Sequence, residues 1–136
     1  MRSRILVGAL LVVGLLAVGT LAASSAVTTP SRQEVVAYFV RPTVIAGAIV
    51  QGRVLLVHDD QLMAKGEPCT TVYRLGPRRG LQEKIVSFMC RPTRRDTVNK
   101  FTVTCSRAAL TGPDVVTEYQ FAGDPEAHGV PSYYRQ

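Results

Sequence analysis

The chain has no tryptophan, two histidines and three cysteines among its 136 residues. Lack of tryptophan removes the signature of an immunoglobulin-type sandwich, whose core is built around that residue. With only His58 and His128 as bases and no G-x-S-x-G turn, nucleophilic catalysis has little to work with. A Cys69/His58 pair would have no third group to orient it, so the chain reads as a non-enzyme. No two cysteines stand in C-x-x-C spacing, which weakens a zinc reading. The closely spaced Cys, His and Met ligands that a blue-copper protein carries near its C-terminus are missing as well. No cysteine precedes Cys69, which excludes a lipid-anchored lipoprotein, and no adjacent arginine pair stands before the apolar N-terminal run to suggest the twin-arginine route.

There is one long hydrophobic run. Arg2 and Arg4 precede an unbroken stretch of apolar residues and glycines from Ile5 to Val18, followed by small residues. That order of positive charge, apolar segment and small-residue exit is the layout of a signal peptide. Cleavage fits after Ala22 or after Ala26; the competing reading is a retained anchor, since Ile5 to Ala22 approaches the shortest span of a bilayer. The expected organisation is a signal segment over 1–26, a Ser/Thr/Pro spacer over 27–33, one domain over 34–122 and a tail over 123–136.

Charge gives little direction. Removing Arg2 and Arg4 from the 16 basic side chains leaves 14 against 10 acidic ones, too mild an excess to imply nucleic acid. Nine of these cations fall between Arg74 and Arg107, clustered in "GPRRG" and "RPTRRD". The two clusters are expected at opposite ends of a hairpin, so Arg78, Arg79, Arg94 and Arg95 form at most a weak, salt-sensitive surface for anionic partners.

Strand signals dominate the remainder. "EVVAYFV" is β-branched and aromatic and is expected to stop at Arg41-Pro42. "TVIAGAIVQGRVLLV" is either one bent strand or two around Gln51-Gly52, with Gly47 and Gly52 marking a bulge or close backbone approach. "CTTVYRL" and "EKIVSFMC" flank the turn "GPRRG" as a hairpin. A loop "RPTRRDTVN" leads to "KFTVTCS", whose period-two alternation places Phe101, Val103 and Cys105 on one face. "DVVTEYQF" is the last strand. Six or so short strands predict an all-β fold, a small antiparallel sandwich or barrel.

Hairpin registers bring the cysteines together. A turn centred near Arg78 sets Cys69 close to Cys90, and a midpoint near Thr97-Val98 sets Cys90 close to Cys105. The plainest outcome is one disulfide and one free thiol, with Cys69–Cys90 favoured over Cys90–Cys105; such a bridge stabilises a small exported domain by about 2–4 kcal/mol. A second outcome is a metal site: His58 with Cys69, Cys90 and Cys105 makes a Cys3His set for zinc, and thiolates with Met63 or Met89 suit Cu(I). A third uses the odd thiol to join two chains or as a reactive group.

"VHDDQLMAKGEPC" runs into this cluster. Asp59 and Asp60 are adjacent, so an extended chain points them to opposite faces and they make a poor catalytic pair. They are better placed as the cap of a short helical turn that Gly66 ends, leaving His58 half-exposed at a strand end. In the tail, Tyr133 and Tyr134 are candidate anchors for a partner. His128 and Pro131 are fixed points if it folds back across the sheet, against the disorder usual for a terminus of this composition.

The sequence therefore reads as an exported binding or structural module of the periplasm or cell envelope, with no cofactor. Its partner is unidentified, an envelope protein or an anionic surface rather than nucleic acid. The alternative is a periplasmic metal-binding protein using the cysteine cluster with His58.

Overall fold

A computed structural model describes residues 31–133, apart from 79, 81 and 108. The expected signal segment, Arg79 and Tyr134 lie outside the described residues. Among the described residues eight strands, β1 (Arg32–Ile45), β2 (Ala48–Asp59), β3 (Thr70–Leu75), β4 (Gln82–Phe88), β5 (Arg91–Arg94), β6 (Thr102–Arg107), β7 (Asp114–Gln120) and β8 (Glu126–Gly129), join in one sheet. Its path is β4-β3-β2-β1-β7-β8-β5, with β6 on the other side of β7. The all-β expectation holds, but the sheet is a single curled one, and it is mixed because Thr43 and Val44 pair in parallel with Asp114 and Val115. Among the described residues no helix is long and apolar enough to cross a membrane.

β1 passes through Arg41-Pro42 instead of stopping there. Proline is tolerated because the ladder is interrupted between Phe39 and Thr43, a bulge that leaves no donor required of Pro42. The reversal into β2 comes at Ala46-Gly47, both at positive φ, rather than at Gln51-Gly52. Paired positive φ values belong to a tight hairpin turn, which asparagine or aspartate before glycine usually announces; alanine hides it. Gly52, also at positive φ, stands opposite Phe39 beside the bulge, as its place in the sequence suggested.

The β3–β4 hairpin matches expectation, with Thr70 opposite Phe88 and Leu75 opposite Gln82. The segment after it does not. Arg91–Arg94, expected as loop, is β5, and it pairs with β8, which comes from the expected tail. The tail thus docks firmly: Ala127 and His128 are buried between β5 and β7.

Beneath the curl lies a core of Ile45, Val50, Val54, Leu56, Val72, Phe88, Val116, Tyr119 and Phe121. Each large apolar side chain withdrawn from water contributes roughly 1.5–3 kcal/mol. Tyr119 and Phe121 meet edge to face with centroids 5.8 Å apart, and Phe101 packs on both. His128 lies over Tyr119 at 5.1 Å, so the aromatic core runs directly into the cysteine end of the sheet.

Candidate metal centre

β2 delivers His58, and the sheet hides it. Its register partners are Gln33 on β1 and Thr70 on β3, so it sits on an interior strand with the helical turn α1 (Asp60–Ala64) beyond it. The ring has no exposed surface, which corrects the half-exposed histidine expected at a strand end. α1 forms as its sequence suggests: Asp59 is the N-cap, accepting from the Gln61 and Leu62 N–H groups, and Gly66 follows at positive φ. The Asp59 N–H donates to the Cys69 carbonyl at 2.9 Å, closing the loop so that Cys69 enters β3 beside His58.

Cys69 and Cys90 are joined as a disulfide, the favoured pairing. The Cys90 N–H also donates to Cys69 Sγ at 3.2 Å. His58, Cys69 and Cys90 are all buried, and their donor atoms lie within 4.8 Å of one another. Cys105 is exposed and free. Its expected approach to Cys90 assumed that the chain from 90 to 105 was one hairpin; β5 diverts it to β8, and Cys105 pairs with Val116 on β7 instead. A break in register between Thr104 and Cys105 also ends the alternation that placed this thiol inside. Partial burial, then the nearby Asp114 carboxylate, push the Cys105 thiol pKa above its ordinary value.

Two further donors come to Cys90. His128 Nδ1 lies 3.7 Å from Cys90 Sγ, the same separation as His58 Nδ1, and Met63 Sδ on α1 lies 3.9 Å away. The two imidazole rings are 4.0 Å apart. His128 was read from sequence as a fixed point of the tail and as one of two available bases, not as a ligand. No motif links it to the cysteines, because strand pairing alone brings β8 beside this end of the sheet. Met89, the other methionine considered for Cu(I), is exposed.

The polar surroundings fix the rings. Asp60 Oδ1 is 2.9 Å from His58 Nε2. With the proton on Nε2, as that carboxylate requires, Nδ1 presents its lone pair to the interior, where the Thr70 and Tyr119 hydroxyls lie 3.5 and 3.4 Å away. A carboxylate behind a histidine is the usual support for a metal-ligating imidazole. Burial raises the Asp60 pKa, but the Ser31 N–H and His58 outweigh it and leave the carboxyl below its ordinary value. Burial and then the neighbouring His58 push His128 down to about 4, so its ring is neutral at neutral pH. Its Nε2 is buried without a hydrogen-bond partner among the described residues. Glu126 Oε1, 3.9 Å from Nδ1, stands at the surface edge of this ring.

The weak surface candidates do not converge. Arg78 and Arg94 are exposed, whereas Arg95 grips Glu118 through two nitrogens at 3.2 and 3.0 Å. Tyr133 lies against Gly47, where a Cβ would meet it at 3.5 Å, and helps line an apolar pocket with Val44, Pro113 and Pro131. Comparison of the chain with family models, curated proteins and solved structures finds no match.

Proposed function

We propose that this chain is an exported β-domain that binds a transition-metal ion in the centre where His58, Cys69 and Cys90 meet, once the cysteine pair is reduced. The observation that carries the reading is the convergence of three buried soft or borderline donors from separate segments within 4.8 Å. A thiolate and a neutral imidazole suit zinc or copper far better than magnesium or calcium, which prefer oxygen. Export is supported by the N-terminal order of Arg2, Arg4 and the apolar run from Ile5 to Val18. The experiment is to reduce the purified domain without oxygen, remove the reductant, add zinc or Cu(I), and measure metal per chain. One ion per chain, lost in His58→Ala, is expected; no bound metal, or binding that survives both His58→Ala and Cys90→Ser, overturns the reading.

A second reading, an envelope binding module stapled by the disulfide, is favoured by β1. Val36, Tyr38 and Val40 share one face of that strand and are 52%, 68% and 75% exposed. Large apolar groups aligned at the surface mark contact sites in many proteins. A photo-crosslinker placed at Tyr38 should capture an envelope partner in cells; the absence of any adduct contradicts this reading and leaves the metal reading untouched.

A further inference from the structure

Cys90, rather than the cysteine pair as a unit, is the geometric hub of the centre. His58 Nδ1, His128 Nδ1 and Met63 Sδ all lie against its sulphur, at 3.7, 3.7 and 3.9 Å. With the bond lengths of zinc, about 2.3 Å to sulphur and about 2.0–2.1 Å to nitrogen, a tetrahedral ion holds those two atoms about 3.6 Å apart. Both sulphur–nitrogen separations therefore already match the edges of a coordination polyhedron. Cys69 Sγ is placed differently: it faces the Cys90 N–H, the Phe88 carbonyl at 3.9 Å and the Thr70 hydroxyl at 3.9 Å. It occupies the bonding position on Cys90 that a metal would need.

We infer that the centre is a copper site of the two-histidine, one-thiolate, one-thioether kind, with Cys90, His58 and His128 as close ligands and Met63 as the weaker one, and that the Cys69–Cys90 disulfide is its gate. This rests on the metal-binding reading above and names the metal and the control of that same centre.

Two observations select copper. A thioether beside a thiolate adds little for zinc but is a favoured partner of copper. Two histidines and one cysteine with a distant methionine form the ligand set of copper electron-transfer sites.

The gate is a balanced thiol–disulfide exchange. A dithiol reductant attacks the Cys69–Cys90 bond; that S–S bond breaks, the reductant closes into its own disulfide, and two thiols remain on the protein. The reductant supplies both electrons. Copper then binds Cys90 as its thiol proton leaves to solvent. A small-molecule disulfide reverses the exchange: its S–S bond breaks, it takes up the two electrons and leaves as two thiols, the Cys69–Cys90 bond re-forms, and the ion is expelled because a disulfide sulphur is a poor ligand compared with a thiolate.

Cys69→Ser tests the assignment, since it removes the gate and keeps every proposed ligand. The variant is expected to bind one copper per chain without any reductant and, with Cu(II), to show the intense visible absorption of thiolate-to-copper charge transfer. Adding His128→Ala should abolish that absorption, and Met63→Leu should shift it. Oxidised wild-type protein should take up no copper at this centre, and the reduced protein should bind. A folded Cys69→Ser that binds no copper, while reduced wild type binds metal, makes Cys69 a ligand; it overturns this inference and leaves the metal reading standing. Failure of reduced wild type as well removes both. If Cys69→Ser does not fold, as its circular dichroism would reveal, reduced wild type and its His128→Ala variant decide: unchanged copper affinity overturns the inference, and at least tenfold weakening supports it.

Discussion

Asp60 Oδ1 meets His58 Nε2 at 2.9 Å, while the other oxygen of the same carboxylate accepts from the Ser31 N–H at 3.0 Å. One side chain thus ties the start of β1 to the ring that faces the cysteines. Replacing Asp60 by Asn keeps the shape and removes the charge that holds the Nε2 proton. Metal affinity of the reduced protein should fall about 10- to 100-fold, the usual effect of losing a carboxylate behind a ligating histidine. Competition against a chelator of known affinity measures it, and unchanged affinity would mean that His58 is not a ligand.

The N-cap of α1 should act on the same centre indirectly. Asp59 Oδ1 accepts from the Gln61 N–H at 2.8 Å and holds the turn that carries Met63. Asp59→Ala is expected to cost about 1 kcal/mol of stability, seen as a lower denaturant midpoint with an unchanged slope. An unchanged midpoint would show that the turn does not depend on its cap.

His128 should make the oxidised, metal-free domain sensitive to acid. Its folded pKa of about 4 lies below the ordinary 6.5, with burial the main cause and His58 next, partly offset by Asp124, Asp60 and Glu118. Between those two values the unfolded chain binds the proton and the folded one does not. Stability from this group is therefore full above pH 6.5, declines as pH falls toward 4, and levels off below, a loss on the order of 3 kcal/mol. Denaturant melts across that range, compared with His128→Phe, check it: the variant should lack this slope, and equal slopes would contradict the assignment.

The thiols should separate cleanly on alkylation. Cys105 is exposed, whereas Cys69 and Cys90 are bonded and buried. Native protein should take one alkyl group, and three after reduction and denaturation. Because burial and Asp114 raise the Cys105 pKa, the single native reaction should speed up as pH rises beyond the ordinary thiol range. More than one label on native, unreduced protein would contradict the disulfide.

Local features were legible in the sequence where one segment supplies all the information. The β-branched and aromatic run "EVVAYFV", the cap at Asp59, the stop at Gly66 and the hairpin bringing Cys69 to Cys90 belong to this kind. What was hidden depends on pairings between distant segments. β5 is four residues with proline and two arginines, which read as loop; it becomes a strand because β8 lies beside it. The same pairing draws His128 into the core and separates Cys105 from Cys90. The Ala46-Gly47 turn was missed because alanine bears a conformation that the flanking strands impose.

X-ray absorption fine structure on the reduced, metal-loaded protein addresses the central claim most directly, since it reads the atoms around the ion. A centre built on Cys90 and the histidines predicts nitrogen and sulphur together in the first shell; loaded with zinc, the nitrogen should lie at about 2.0–2.1 Å and the sulphur at about 2.3 Å. A first shell of oxygen and nitrogen alone, with no sulphur, would place the metal elsewhere and contradict the account.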